Sequence, residues 1–181
     1  QGNFDKALKM YENIIETYPA NSHFRLMLAK IYIEKANFEQ AKEQLFKAIE
    51  INPNDAEAHY YLASIFSLMG NYKQTIVECV RALEINPHLY VARLLLADAY
   101  MYEFDDVRSE VELKNLLVVT PESLSIHWRL GQLYGGLQGN LDKSIAEMEK
   151  AVGLKSDVSK LYGELGGLYL RSFNLQKAVE S

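Results

Sequence analysis

The chain has 181 residues, 49% of them apolar and 24% charged, with 4 prolines and 10 glycines, a composition that favours long helices over disorder or an all-β fold. Its net charge of -5 comes from 24 acids and 19 bases that alternate along the chain, so no basic stripe exists to track a phosphate backbone and nucleic acid is excluded as an expected partner. No apolar segment approaches the roughly 20 residues that cross a bilayer, and the lone Cys79 has no partner for an intrachain disulfide.

Taken in chain order, the elements repeat. Pro19, Pro53, Pro87 and Pro121 are each 34 residues apart, and Asn3, Asn37, Asn71 and Asp105 keep the same step. Asn140 falls one residue late and Asn174 resumes the step. A period of that length marks stacked supersecondary units. A second helix is predicted over 2–19, followed by helical hairpins at 22–55, 56–89, 90–123 and 124–158, then a partial unit over 159–181.

Within each unit the first helix carries a Leu, a small residue and an aromatic: Leu28, Ala29 and Tyr32; Leu62, Ala63 and Phe66; Leu96, Ala97 and Tyr100; Leu130, Gly131 and Tyr134; Leu165, Gly166 and Tyr169. Helical spacing puts each trio on one face, where the small residue admits a neighbouring helix. The second helix opens at the Asn, whose side chain accepts from unpaired backbone N–H groups. Gln40 and Gln74 stand where they would complete capping boxes. Proline then ends it, since it neither donates a backbone hydrogen bond nor tolerates a preceding helical turn.

At these residues the chain resembles the tetratricopeptide repeat (TPR) family, with residues 56–87 fitting its pattern with few departures. The resemblance covers the whole chain. It implies an all-α, right-handed α-solenoid of stacked antiparallel helix pairs, first helices lining a concave groove and second helices outside. Repeat stacks need capping elements at their ends; none is evident, so the chain is expected to be a fragment of a longer array. Two departures stand out. Phe104-Asp105-Asp106 replaces the usual Gly-Asn-aromatic turn, and Leu116 replaces a small residue, which predicts a wider helix spacing and a bend. An extra residue near Gly136 to Gly139, and Ser156 in place of the terminal Pro, predict a more gradual helix end.

The family's register projects a partner-binding surface onto the fifth and ninth positions of the first helices. These are Leu26, Tyr60, Leu94, Trp128 and Gly163, and Lys30, Ser64, Asp98, Gln132 and Gly167. The four large side chains among them would form an apolar ladder of the residue types that anchor interfaces. The alternative leaves Leu26, Leu94, Trp128 and also Tyr60 packed inside the stack. A terminal-carboxylate clamp of the kind some relatives use is disfavoured, because these positions hold one cation, Lys30, and one acid, Asp98. The implied partner is a protein or peptide of apolar or mixed character. Eight of the ten glycines lie from Gly131 onward, and Gly135, Gly163 and Gly167 project to the groove, where they open a pocket beside Trp128 or simply loosen the last repeats.

Other candidates read as structural. Arg25, His59, Arg93 and His127 form a basic row at the fourth position, expected to cover the seam with their apolar stems. Glu103, Asp105, Asp106, Glu110 and Glu112 lack a calcium loop's alternating ligands and central Gly. With no phosphate loop, nucleophile elbow or zinc-protease helix, neither catalysis nor a cofactor or metal is expected. The expected function is a protein-interaction scaffold that binds a segment in its groove, and the IEINP ending at 49–53 resembles bacterial and archaeal members, pointing to a larger bacterial assembly. The alternatives are a regulatory or substrate-docking arm of an enzyme and a self-assembling scaffold.

Overall fold

Each proline of the 34-residue ladder sits two residues beyond the end of a helix, as its missing N–H and its restriction on the preceding residue require. The computed structural model describes residues 2–136, 139–154 and 159–180, with side chains for 5–136, 139–154 and 159–173. Among the described residues there are ten helices and no strand: α1 (Gly2–Thr17), α2 (Ser22–Glu34), α3 (Phe38–Ile51), α4 (Ala56–Leu68), α5 (Tyr72–Ile85), α6 (Tyr90–Tyr102), α7 (Asp106–Val119), α8 (Leu124–Gly135), α9 (Leu141–Leu154) and α10 (Ser159–Glu180). The chain divides into two compact units, residues 1–103 and 104–181, so the boundary runs through the middle of the third full repeat.

In the first unit α2 packs on α3 and α4 on α5, each pair joined by a three-residue turn, and α1 and α6 cover α2 and α5. The seam is built on residues without bulk. Ala29, Ala41, Ala48, Ala58 and Ala63 are fully buried, which brings helix backbones close, and Leu26, Leu45, Leu62 and Ile65 fill the spaces between them. In the second unit α8 packs on α7 and α9, and α9 on α10. There Gly131 takes the place of the alanines, and a Cβ on it would lie 2.7 Å from Met148 Cγ. Leu116 is buried, so the fold takes in the larger side chain.

Small hydroxyls tie the second helix to the first. Thr75 Oγ1 donates to the Asn71 carbonyl at 3.0 Å and lies 3.4 Å from the Ala63 carbonyl, and Ser144 Oγ donates to the Gly131 carbonyl at 2.6 Å. Between the helices of a pair the chain turns through a left-handed residue: Ala36 (φ 57°), Gly70 (φ 73°), Phe104 (φ 59°) and Gly139 (φ 60°). Only glycine adopts that conformation without steric cost.

Three sequence expectations need correction. The capping boxes do not form, because the backbone N–H of Asn37 and of Asn71 is taken by the carbonyls of Tyr32 and Phe66 and is not left for Gln40 or Gln74. The Asn71, Asp105 and Asn140 side chains do accept from the N–H three residues on, whereas Asn37 makes no side-chain cap. Finally, α10 runs without interruption past Asn174, where a new helix was predicted. Phe173 falls at the register of the left-handed turn residues but stays helical, which avoids a cost of roughly 1–2 kcal/mol for a residue with a Cβ. The expectations for Ser156 and for the extra residue fall on 155–158 and partly on 137–138, outside the described residues.

Candidate functional site

The fourth-position row is a repeated tether. Arg25 donates from Nε and NH2 to the Pro19 carbonyl at 3.2 and 3.0 Å, and Arg93 from NH2 to the Pro87 carbonyl at 3.2 Å. His59 Nε2 lies 3.1 Å from the Pro53 carbonyl and His127 Nε2 2.9 Å from that of Pro121. Each row member thus grips the turn six residues behind it. A second bond crosses to the other helix of the hairpin: Arg25 to Gln44 at 3.2 Å, His59 Nδ1 to Glu78 at 2.7 Å, His127 Nδ1 to Glu147 at 2.6 Å. Carbonyl and carboxylate are both acceptors, so His59 satisfies both contacts only as the imidazolium. The hydrogen bond to Glu78 holds the His59 pKa above the usual histidine range, against the pull of burial. Although burial works against its charge, bonds from Lys150 and His127 hold Glu147 below the usual carboxylate range. With both ring nitrogens engaged, neither histidine has one to offer a metal.

The acidic cluster is likewise part of the fold. Asp105 caps α7 through the Arg108 N–H and pairs with the Arg108 side chain. Glu110 pairs with Lys114 and accepts from the Tyr134 hydroxyl at 2.9 Å.

In the first unit the projected partner residues separate. Leu26 leaves the ladder, because at 2% exposure it lies in the core. Lys30 ties α2 to α4, donating to Glu57 at 3.1 Å with its ammonium 4.7 Å from the Tyr61 ring centroid. The Tyr60 ring is half-buried and stands 5.1 Å from that of Tyr61 in a tilted pair. Ser64 spends its hydroxyl on the Tyr60 carbonyl at 2.9 Å, and Leu94 and Asp98 are half-buried.

In the second unit two of the projected residues, Gln132 and Gly167, line one cleft, and Trp128 is joined to it. Trp128, half-buried against the cluster of Leu141, Met148, Leu165 and Leu168, donates its indole N–H to Glu164 on α10 at 2.7 Å, and the Lys160 ammonium lies 4.9 Å from its ring centroid. Gln132 and Gly167 line a cleft of about 350 Å³ between α8 and α10, which Gly131, Gly135, Gly136, Met148, Glu164, Leu168 and Arg171 complete. Gly163 and Trp128 stand outside that lining, with Trp128 joined to it through Glu164. Glu164 and Arg171 stand at none of the positions that the sequence singles out. The available signal was that Arg171 has no acid three or four residues away on either side. The glycines divide by role: a Cβ on Gly135 would lie 2.7 Å from Ser144 Oγ, whereas one on Gly163, Gly166 or Gly167 meets nothing within 4 Å.

No described helix is long and apolar enough to cross a membrane. Tetratricopeptide repeat family profiles match residues 1–65 and 124–158. No curated protein matches the chain by sequence. Among solved structures, a MamA protein superposes with a TM-score of 0.78 at 23% identity, covering 88% of this chain and 86% of that one. YrrB, described as a TPR protein with an unusual peptide-binding site, superposes at 0.78 with 18% identity, covering 88% and 81%. A MamA structure spanning residue 41 to the end, from Desulfovibrio magneticus, gives 0.77 at 21% identity with coverage of 96% and 90%. At these identities the likeness is one of fold.

Proposed function

We propose a function from the premise that this chain belongs to the tetratricopeptide repeat family: it is a protein-interaction scaffold, and it holds a peptide or protein segment of apolar or mixed character against the faces of its first helices. The observation that carries this reading is that each unit fixes a large aromatic side chain at a first-helix position while leaving part of it accessible. Tyr60 stands against Tyr61, and Trp128 is held by its bond to Glu164 between α8 and α10. Aromatic side chains already ordered before binding lose little freedom on contact and serve as interface anchors. The peptide-binding site described for YrrB supports a peptide as the ligand class.

The test is retention from source-cell extract on immobilised protein, comparing the unaltered chain with a Tyr60→Ala, Trp128→Ala double variant whose helicity is checked by circular dichroism. The reading expects a discrete partner bound by the first and lost by the second. Equal retention would move the interaction surface off the first helices. A second reading, self-association, is favoured by α10, where Tyr162, Leu170 and Phe173 are 49%, 67% and 52% exposed. Sedimentation velocity across a concentration series decides it, and a constant monomer coefficient would exclude it.

A further inference from the structure

The cleft between α8 and α10 differs from the rest of the first-helix surface in having a built chemistry at each end. Its floor is Met148 and Leu168, both buried, and its volume of about 350 Å³ falls at the small end of the range for ligand clefts. At one end Glu164 is already engaged, since it accepts from the Trp128 indole at 2.7 Å and has Lys160 at 3.9 Å. At the other end the exposed Arg171 donates NH1 to the Gly135 carbonyl at 3.0 Å, which anchors the guanidinium and leaves N–H groups with no other acceptor among the described side chains. Among the described residues no carboxylate pairs with it. Seven residues of helix separate the two ends, about 10 Å along α10. Between them lies Gly167, whose missing side chain opens onto the cleft and is not required by packing.

We infer that this cleft takes an extended partner segment that places a large apolar side chain on Met148 and Leu168 and the carboxylate of a neighbouring Asp or Glu on Arg171. The inference rests on the scaffold reading and specifies the partner's chemistry at one place. An extended segment fits because an α-helix with its side chains is about 10–12 Å across and lies over so small a cleft without entering it. Gly167 lets a main chain approach its backbone, as only glycine does. The acid is called for by charge: a guanidinium anchored beside an apolar floor, with no carboxylate on it among the described residues, offers a bidentate site for one.

Trp128 is the chain's single tryptophan, so its emission reports occupancy directly. The experiment titrates the whole chain with a capped hexapeptide, tryptophan-free, carrying Phe-Asp at its centre, and with the same peptide carrying Phe-Lys. The expected result is a saturable emission change with a dissociation constant on the order of 0.1–1 mM for Phe-Asp, and binding about tenfold weaker for Phe-Lys. Gly167→Leu, whose Cβ would meet nothing within 4 Å and whose longer side chain occupies the cleft, abolishes the change with helicity intact. Arg171→Glu reverses the preference between the two peptides. Equal affinity for both peptides, the absence of saturation at millimolar concentrations, or Gly167→Leu titrating like the unaltered chain overturns the assignment. Retention of an extract partner by Gly167→Leu but not by the Tyr60→Ala, Trp128→Ala variant leaves the scaffold reading standing and places the contact elsewhere on the first helices, against the cleft.

Discussion

His59 and Arg25 occupy the same register and perform the same task, gripping a proline carbonyl six residues behind, yet only the histidine can lose its proton in the neutral range. Its folded pKa is raised above the unfolded value of about 6.5, so its contribution to stability is fully present below that pH and is lost as pH rises through the folded value. The groups facing it are Glu78, the Pro53 carbonyl and the more distant positive charge of Arg81. His59→Arg is therefore expected to flatten the fall in urea midpoint above about pH 6.5 that the unaltered chain shows. Identical pH profiles for the two would mean that the tether is held by shape alone. A second residue-scale expectation concerns the turns. Ala36 and Phe104 hold φ of 57° and 59°, so Ala36→Gly and Phe104→Gly should each raise stability in denaturant titrations, by up to about 1 kcal/mol, even though glycine adds freedom to the unfolded chain. Cys79, fully buried and with its thiol pushed up to about 12 by that burial, should react with an aromatic disulfide reagent only after denaturant is added.

Among the elements α10 is unusual, because it carries Gly163, Gly166 and Gly167 in one helix although none is demanded by a close neighbour. Replacing Gly163 or Gly166 with Ala should raise the melting temperature, each change gaining about 0.8–1 kcal/mol of helix propensity. The same substitution in α8 should do the reverse. At Gly131 the new Cβ meets the middle of the Met148 side chain at 2.7 Å, and at Gly135 it meets Ser144 Oγ, which gives way only by breaking its bond to the Gly131 carbonyl. Thermal melts of the four variants check this, and a loss of stability in the α10 pair would show that the face is covered in solution. These two classes of glycine were indistinguishable from the sequence, since composition records a glycine but not which way its missing side chain would point. Leu26 teaches the same lesson at the fifth position. A leucine there is short enough to lie wholly within the seam, while Tyr60, 34 residues on, extends past it, so one register yields core in one repeat and accessible surface in another.

For the molecule as a whole the hairpins were legible because every repeat restates the same trio of Leu, small residue and aromatic, and a proline that cannot continue the helix ends each full second helix up to Pro121. Where the sequence departs from that pattern the structure has its own answers: Phe104 accepts the left-handed turn, and α10 declines it. The cleft residues Glu164 and Arg171 lie outside any repeated pattern, and their pairing depends on how α8 and α10 face each other, which spacing alone does not fix. Such an architecture also sets how the chain unfolds. Its buried side chains fall into separate clusters, around Leu45 and Leu62, around Cys79 and Leu96, and around Met148 and Leu165, and helices pack chiefly on their neighbours in sequence. Stability built from local interfaces adds up repeat by repeat instead of resting on one shared core. Differential scanning calorimetry should therefore give a calorimetric enthalpy larger than the van't Hoff enthalpy, the signature of unfolding in more than one step. A Leu45→Ala substitution in the first unit should widen that gap by splitting off the lower-melting part, whereas a ratio that stays at one would show that the two compact units melt as a single cooperative block.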